Sequence, residues 1–215
     1  MTTLAFDLDG TLIDSMPHIH HCVSAGLADL GLPGITRADT PQFVGRGLPT
    51  LCTRVLAHLD ADSTLAQDLY DRTMIHYVAT PNSPDSVYPG VTAALHRLTQ
   101  AGHRLTLCTN KPRAATLTAL RDTGLHTWFD HILAGDSLPT RKPDPAMLRG
   151  ALDGCPADQA LYIGDSETDC ETARAAGVRF ILFTEGYRQS PPEALPHVAK
   201  FADWAALPAI IQDLA

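Results

Sequence analysis

One interval governs how this chain can fold. An apolar run, Leu4–Leu8, reads as a strand, and nothing like a second strand follows until Arg104–Thr109. After that, strands come in quick succession at His131–Ala134, Ala160–Ile163 and Arg179–Phe183. Between them lie stretches with helical spacing, Ala114–Arg121, Ala146–Asp153 and Thr168–Ala176, the last followed by Gly177 where a helix C-cap would sit. Strands alternating with helices predict parallel β-α-β units, that is, an α/β fold with a doubly wound, five-stranded, Rossmann-like parallel sheet.

The long interval needs its own structure. Apolar positions recur at helical spacing around Ile19–Leu30, Leu48–Leu59 and Leu65–Val78, and the stretch closes on the turn-rich "TPNSPDSVYPG", Thr80–Gly90. The spacing predicts an all-helical cap over residues 15–82, inserted into a core made of 1–14 and 83–215. A helix at Val91–Ala101 carries the chain back to the sheet.

Composition narrows the class. No segment approaches the run of about 20 apolar residues that a membrane span needs, and strand-like sequence begins at once, with no basic and apolar leader before it. The net charge of −8 argues against a nucleic-acid surface, which calls for clustered cations. The five scattered cysteines show no C-x-x-C pair, as expected of reduced thiols in a cytoplasm. A protein whose partners include neither nucleic acid nor membrane fits these limits.

The chemistry gathers at strand ends. In "LAFDLDGTLIDS" the first strand ends in Asp7 and Asp9, which point the same way because side chains two apart share a face. Open α/β sheets bind ligands beyond the carboxyl ends of their strands. Paired carboxylates there suit a hard divalent cation such as Mg²⁺. An EF-hand is excluded, since Leu12 and His18 stand where its Gly and Glu belong. "LTLCTNK" ends a strand in Thr109 and Asn110, "RKPDP" holds Lys142 in a proline-braced loop, and "LYIGDSETD" ends a strand in Asp165 with Asp169 one turn later.

With its four motifs "DLDGT", "TN", "KP" and "GDSETD" in this order, the chain resembles the haloacid dehalogenase superfamily. The fragments "FVGRGLPTL", "YPGV", "GDSLPTRKPDP", "GDSETDCETARAAGV" and "TEGYR" resemble its phosphoglycolate phosphatase branch. The resemblance implies a Mg²⁺-dependent hydrolase, a monomer or homodimer acting on a small phosphorylated metabolite, 2-phosphoglycolate foremost, with a sugar-phosphate phosphatase or phosphomutase as the alternative. Asp7 is then the nucleophile that forms an aspartyl-phosphate, and Asp9 the general acid and base. Asp7, the Asp9 carbonyl and Asp165 would hold the ion. Lys142, Thr109, Asn110, Thr11 and free amides of the Asp9–Thr11 turn would hold the phosphoryl oxygens, while Asp169 orients Lys142 or acts through water. Arg46, in the glycine-flanked "GRG" loop of the cap, is the candidate contact for the substrate's carboxylate.

Other members of such a superfamily are expected to differ. A dehalogenase needs no second acid at Asp9, and a phosphonatase needs a cap lysine, which this cap lacks. A sugar-phosphate mutase would carry a histidine where Ile19 stands, although His18 and His20 flank it. A non-catalytic binding protein on this scaffold would have lost the nucleophile or the lysine. In "HIHHC" the residues His18, His21 and Cys22 could share a helical face, but His20 points elsewhere and no fourth zinc ligand is evident.

Overall fold

A computed structural model describes residues 2–214. Strand β1 (Thr3–Phe6) leads into a helical excursion through α1 (Met16–Asp29), α2 (Leu48–His58) and α3 (Ala66–Ala79), and α4 (Val91–Gln100) returns the chain to β2 (Arg104–Cys108). The remainder runs α5 (Arg113–Asp122), β3 (His131–Leu133), α6 (Pro145–Ala151), β4 (Ala160–Gly164), α7 (Glu167–Ala176), β5 (Arg179–Phe183), β6 (Ala199–Phe201) and α8 (Leu207–Leu214). The sheet is parallel throughout, in the order β3-β2-β1-β4-β5-β6.

Six strands therefore stand where five are expected from the sequence. The additional β6 is three residues long at the sheet edge, with Lys200 exposed at its centre, so it has no alternation long enough to read. Ala199 and Phe201 pair with Ile181 and Phe183. At the other end of the chain β1 stops at Phe6, before the expected Leu8. The Asp7 amide still bonds the Ile163 carbonyl at 2.9 Å, but the Leu8 carbonyl then accepts from Thr11, Leu12 and Ile13 and turns the chain.

Strand alternation divides the core into two layers. Leu4, Phe6, Leu107, Ile163 and Phe183 pack on one face with residues of α4, α5 and α8, around the buried Trp204. Ala5, Tyr162, Phe180 and Leu182 pack on the other with α6 and α7. A third apolar cluster belongs to the inserted helices: Ile19, Val23, Leu27, Leu51, Val55 and Leu69, joined from α5 by Ala115. The two crossings into and out of that layer are zipped together, since Asp14 N donates to Ser86 O (2.7 Å) and Tyr88 N to Leu12 O (3.1 Å). Among the described residues no helix is long and apolar enough to cross a membrane. All five cysteines are free, and Cys155 alone is not fully buried.

Candidate active site

Strands β2, β1 and β4 lie side by side at the centre of the sheet and, being parallel, end on one edge. That is also where the strand order reverses, the place where an open α/β sheet leaves a crevice. Asp7 follows β1, Thr109 and Asn110 follow β2, and Asp165 follows β4. A cleft of about 200 Å³ opens above them, roofed by Ile19, Leu48 and Leu51 of the inserted helices.

The floor of the cleft is a buried ion cluster. Lys142 Nζ lies 2.9 Å from Asp7 Oδ1 and 2.7 Å from Asp169 Oδ1, and donates to the Tyr162 hydroxyl at 3.0 Å. Tyr162 in turn donates to Asp169 Oδ1 at 2.7 Å, with the Cys108 carbonyl 3.1 Å away. The second oxygen of Asp169 accepts from Ser166 Oγ (2.7 Å) and from the amides of Ser166 and Asp165. Ser166 and Asp169 form a reciprocal capping box at the start of α7, which explains why this turn holds its shape. Asp169 is thus spent on protein donors and positions Lys142.

Asp165 is held from two sides. Thr11 Oγ1 donates to its Oδ1 at 2.8 Å and the Tyr187 amide to its Oδ2 at 2.6 Å. Two glycines allow this approach. A Cβ on Gly10, whose φ is +84°, would come within 2.6 Å of Asp165 Oδ2, and one on Gly186 would come within 2.3 Å of it. The Tyr187 hydroxyl reaches back to the first crossing, donating to Asp14 Oδ1 at 2.7 Å and accepting from the Met16 amide at 2.9 Å.

Two of the three buried carboxylates, Asp7 and Asp169, share one ammonium, and the electrostatics follow. Burial pushes Asp7 up to about 7, against the pull of Lys142 and helped by repulsion from Asp169 and Asp9. Burial and the charges of Asp169 and Asp7 also raise Asp165 well above the usual carboxylate range. Burial opposes the charge on Lys142, yet Asp169 and Asp7 override it and raise the ammonium's pKa. Asp169 is desolvated too, but Lys142 holds it below its ordinary value.

The cluster fits a hard divalent cation. Among the described residues, only Asp7, Asp165 and Asp169 bring three acid, histidine or cysteine ligand atoms within 4.8 Å of one another. Among the described residues the Asp7 carboxylate has the Lys142 ammonium as its one partner, and the Asp9 carbonyl accepts no hydrogen bond. With Asp169 committed elsewhere, Asp7, the Asp9 carbonyl and Asp165 remain as an all-oxygen donor set, the type a Mg²⁺-like ion takes.

Several expected contacts take a different form. Thr11 is fully buried, with its amide on Leu8 O and its hydroxyl on Asp165, so it braces an acid rather than facing the cleft. Likewise the Gly10 amide is used on Ile13 O, which leaves Asp9 as the unpaired amide of that turn among the described residues. Asn110 lines the cleft, but its side chain clasps the main chain of Lys142 in both directions (2.8 and 3.0 Å) and reaches Gly45 O. Thr109 keeps its hydroxyl proton free, since Oγ1 accepts from Lys111 N. Arg46 sits at the cleft wall, half exposed, 3.3 Å from Glu171 on α7.

Tyr162, Tyr187 and Lys111 escape the sequence reading. A core aromatic gives no hint that its hydroxyl is used, but Lys111 carries a signal: it is one of only three lysines and directly follows "TN". Its Nζ lies 3.0 and 3.3 Å from the two oxygens of Asp9. The histidine cluster holds no metal-like geometry. His18 bonds Thr80 O (2.9 Å) and stacks on Tyr77, while His20 bonds Thr40 Oγ1 (3.0 Å).

Comparison with known proteins places the chain among its relatives. Residues 4–183 match the sequence model of the haloacid dehalogenase-like hydrolases. A phosphoglycolate phosphatase of Cereibacter sphaeroides is 46% identical over the whole chain and 99% of its own length. One from Rhodobacter capsulatus is 44% identical, covering 97% of this chain and 96% of its own. Among solved structures, a protein described as a predicted phosphoglycolate phosphatase from Haemophilus somnus superposes with a TM-score of 0.89 at 27% identity, over 99% of this chain and 98% of that one.

Proposed function

This chain belongs to the haloacid dehalogenase-like hydrolase family, and from that premise we propose that it hydrolyses a small phosphate monoester, 2-phosphoglycolate, to glycolate and phosphate. The observation that carries the proposal is the pairing of Asp7 with Lys142 at 2.9 Å on the sheet edge, beneath a cleft that Asp9 also lines. A carboxylate so held, with its ammonium fixed by Asp169 and Tyr162, suits attack on phosphorus.

In this mechanism Asp7 attacks and forms an aspartyl-phosphate while Asp9 gives a proton to the leaving alkoxide oxygen. Asp9 then takes a proton from the water that hydrolyses the intermediate, freeing Asp7. Lys142 offsets charge on the transferring group throughout. The Thr109 hydroxyl and the amides of Asp9 and Asn110, unpaired among the described residues, receive its oxygens. Asp7, the Asp9 carbonyl and Asp165 would hold Mg²⁺, which would supply positive charge between an anionic nucleophile and an anionic ester.

Residues 15–82 serve as the cap and 1–14 with 83–215 as the catalytic core, a division supported by the separate apolar cluster of α1–α3. Arg46, at the cleft wall, meets the incoming anion. Ile19 lines the cleft where a mutase would need its histidine, and neither His18 nor His20 is among the residues lining it, which favours hydrolysis over phosphoryl return. Every group used comes from one chain, so a cytoplasmic monomer or homodimer would carry the same site.

The test is phosphate release from 2-phosphoglycolate, glucose 1-phosphate, pyridoxal phosphate, nucleoside monophosphates and p-nitrophenyl phosphate, with Mg²⁺ and with EDTA. The expected result is a kcat/KM for 2-phosphoglycolate at least about 100-fold above the others, abolished by EDTA. Flat turnover across the panel would overturn the substrate assignment.

A further inference from the structure

We propose that Lys111 is the residue that reads the second anionic group of the substrate, the carboxylate of a phosphorylated 2-hydroxy acid. The inference rests on the phosphatase reading above and adds the determinant of its specificity.

The ammonium is enclosed but only partly occupied. The Lys111 side chain is 1% exposed, and among the described residues its hydrogen bonds all go to one carboxylate, that of Asp9. Its other neighbour is the ring of Tyr77, whose centroid is 4.8 Å from Nζ. An ammonium has three N–H donors, and leaving one unused in a buried site is costly. Lys142, buried to the same degree, distributes its donors over Asp7, Asp169 and Tyr162. Lys111 therefore has donor capacity left, and it lines the cleft.

Its position matches the geometry of the ester. A proton donor must come within about 2.6–3.2 Å of the leaving oxygen, which places that oxygen next to Asp9. In a phosphorylated 2-hydroxy acid the carboxylate carbon is two single bonds from that same oxygen. An ammonium 3.0 Å from Asp9 is thus within reach of the carboxylate. Ile19, Leu48 and Leu51 make an aliphatic part of the wall on the helical side, while Gln42, Arg54 and Gln189 also line the cleft. Arg46 is less suited, because it is half exposed and already paired with Glu171.

Lys111→Met keeps the aliphatic stem and removes the charge. The readout is the ratio of kcat/KM for 2-phosphoglycolate to that for ethyl phosphate, an ester of the same length without the carboxylate. We expect the ratio to fall at least about tenfold, as for loss of a charged hydrogen bond, and Lys111→Arg to restore part of it. A wild-type enzyme that discriminates while Lys111→Met slows both esters in parallel would overturn the proposal and leave Lys111 as a partner of Asp9 alone. A wild type that does not discriminate would overturn both this inference and the phosphoglycolate reading. Lys111→Gln carries the same test if the Met variant does not fold.

Discussion

The two buried lysines mark two halves of the cleft built on opposite principles. On the sheet side Lys142 sits among Asp7, Asp169 and Tyr162, and Asp169 is itself bound by Ser166 and the start of α7. On the helical side Lys111 has Asp9 and the face of Tyr77. The first half has its ion pairs and hydrogen bonds already made in the protein, as groups that stabilise a developing charge should. The second half keeps donor capacity in reserve. In the proposed mechanism, chemistry common to many phosphate esters belongs to the closed half, and selection among those esters to the open one.

The comparison breaks most severely at Lys142. Lys142→Met leaves Asp7 and Asp169 buried without their counter-charge, which costs about 3–5 kcal/mol of folding stability and should remove turnover of every ester alike. Urea denaturation and phosphate release measure the two effects. A Lys142→Met protein that lost only one ester would contradict the division into halves.

Arg46 is expected to matter least. Its pair with Glu171 is half exposed, and such pairs are worth about 1 kcal/mol or less. Arg46→Ala should leave thermal stability almost unchanged and slow 2-phosphoglycolate turnover by less than about tenfold, an effect that fades at high salt. A loss of 100-fold or more, specific to the carboxylate-bearing ester, would move the anion site from Lys111 to Arg46.

The sequence made the sheet side legible for a physical reason. Strands that end in acids, a hydroxyl and a lysine loop leave marks at fixed chain positions, and parallel pairing brings those ends to one edge. Asp7, Lys142 and Asp169 meet within 2.7–2.9 Å although they lie far apart in the chain. How a polar side chain spends its hydrogen bonds leaves no such mark. Thr11 and Asn110 sit in motifs that suggest phosphate contact, yet the fold turns one onto Asp165 and the other onto the Lys142 main chain. Lys111 and Tyr77 meet across the inserted layer, a contact that no local spacing encodes. The short β6 was hidden because three residues carry no periodicity.

The central claim is that Asp7 attacks phosphorus at a cation-dependent site. The measurement that tests it most directly is steady-state phosphate release from 2-phosphoglycolate by the wild type and by Asp7→Asn, each with Mg²⁺ and with EDTA. The account predicts turnover for the wild type with Mg²⁺ alone, and a loss of at least about 10⁴-fold in the variant, as for removal of a nucleophile. An Asp7→Asn protein that keeps more than a few per cent of the wild-type rate would contradict it.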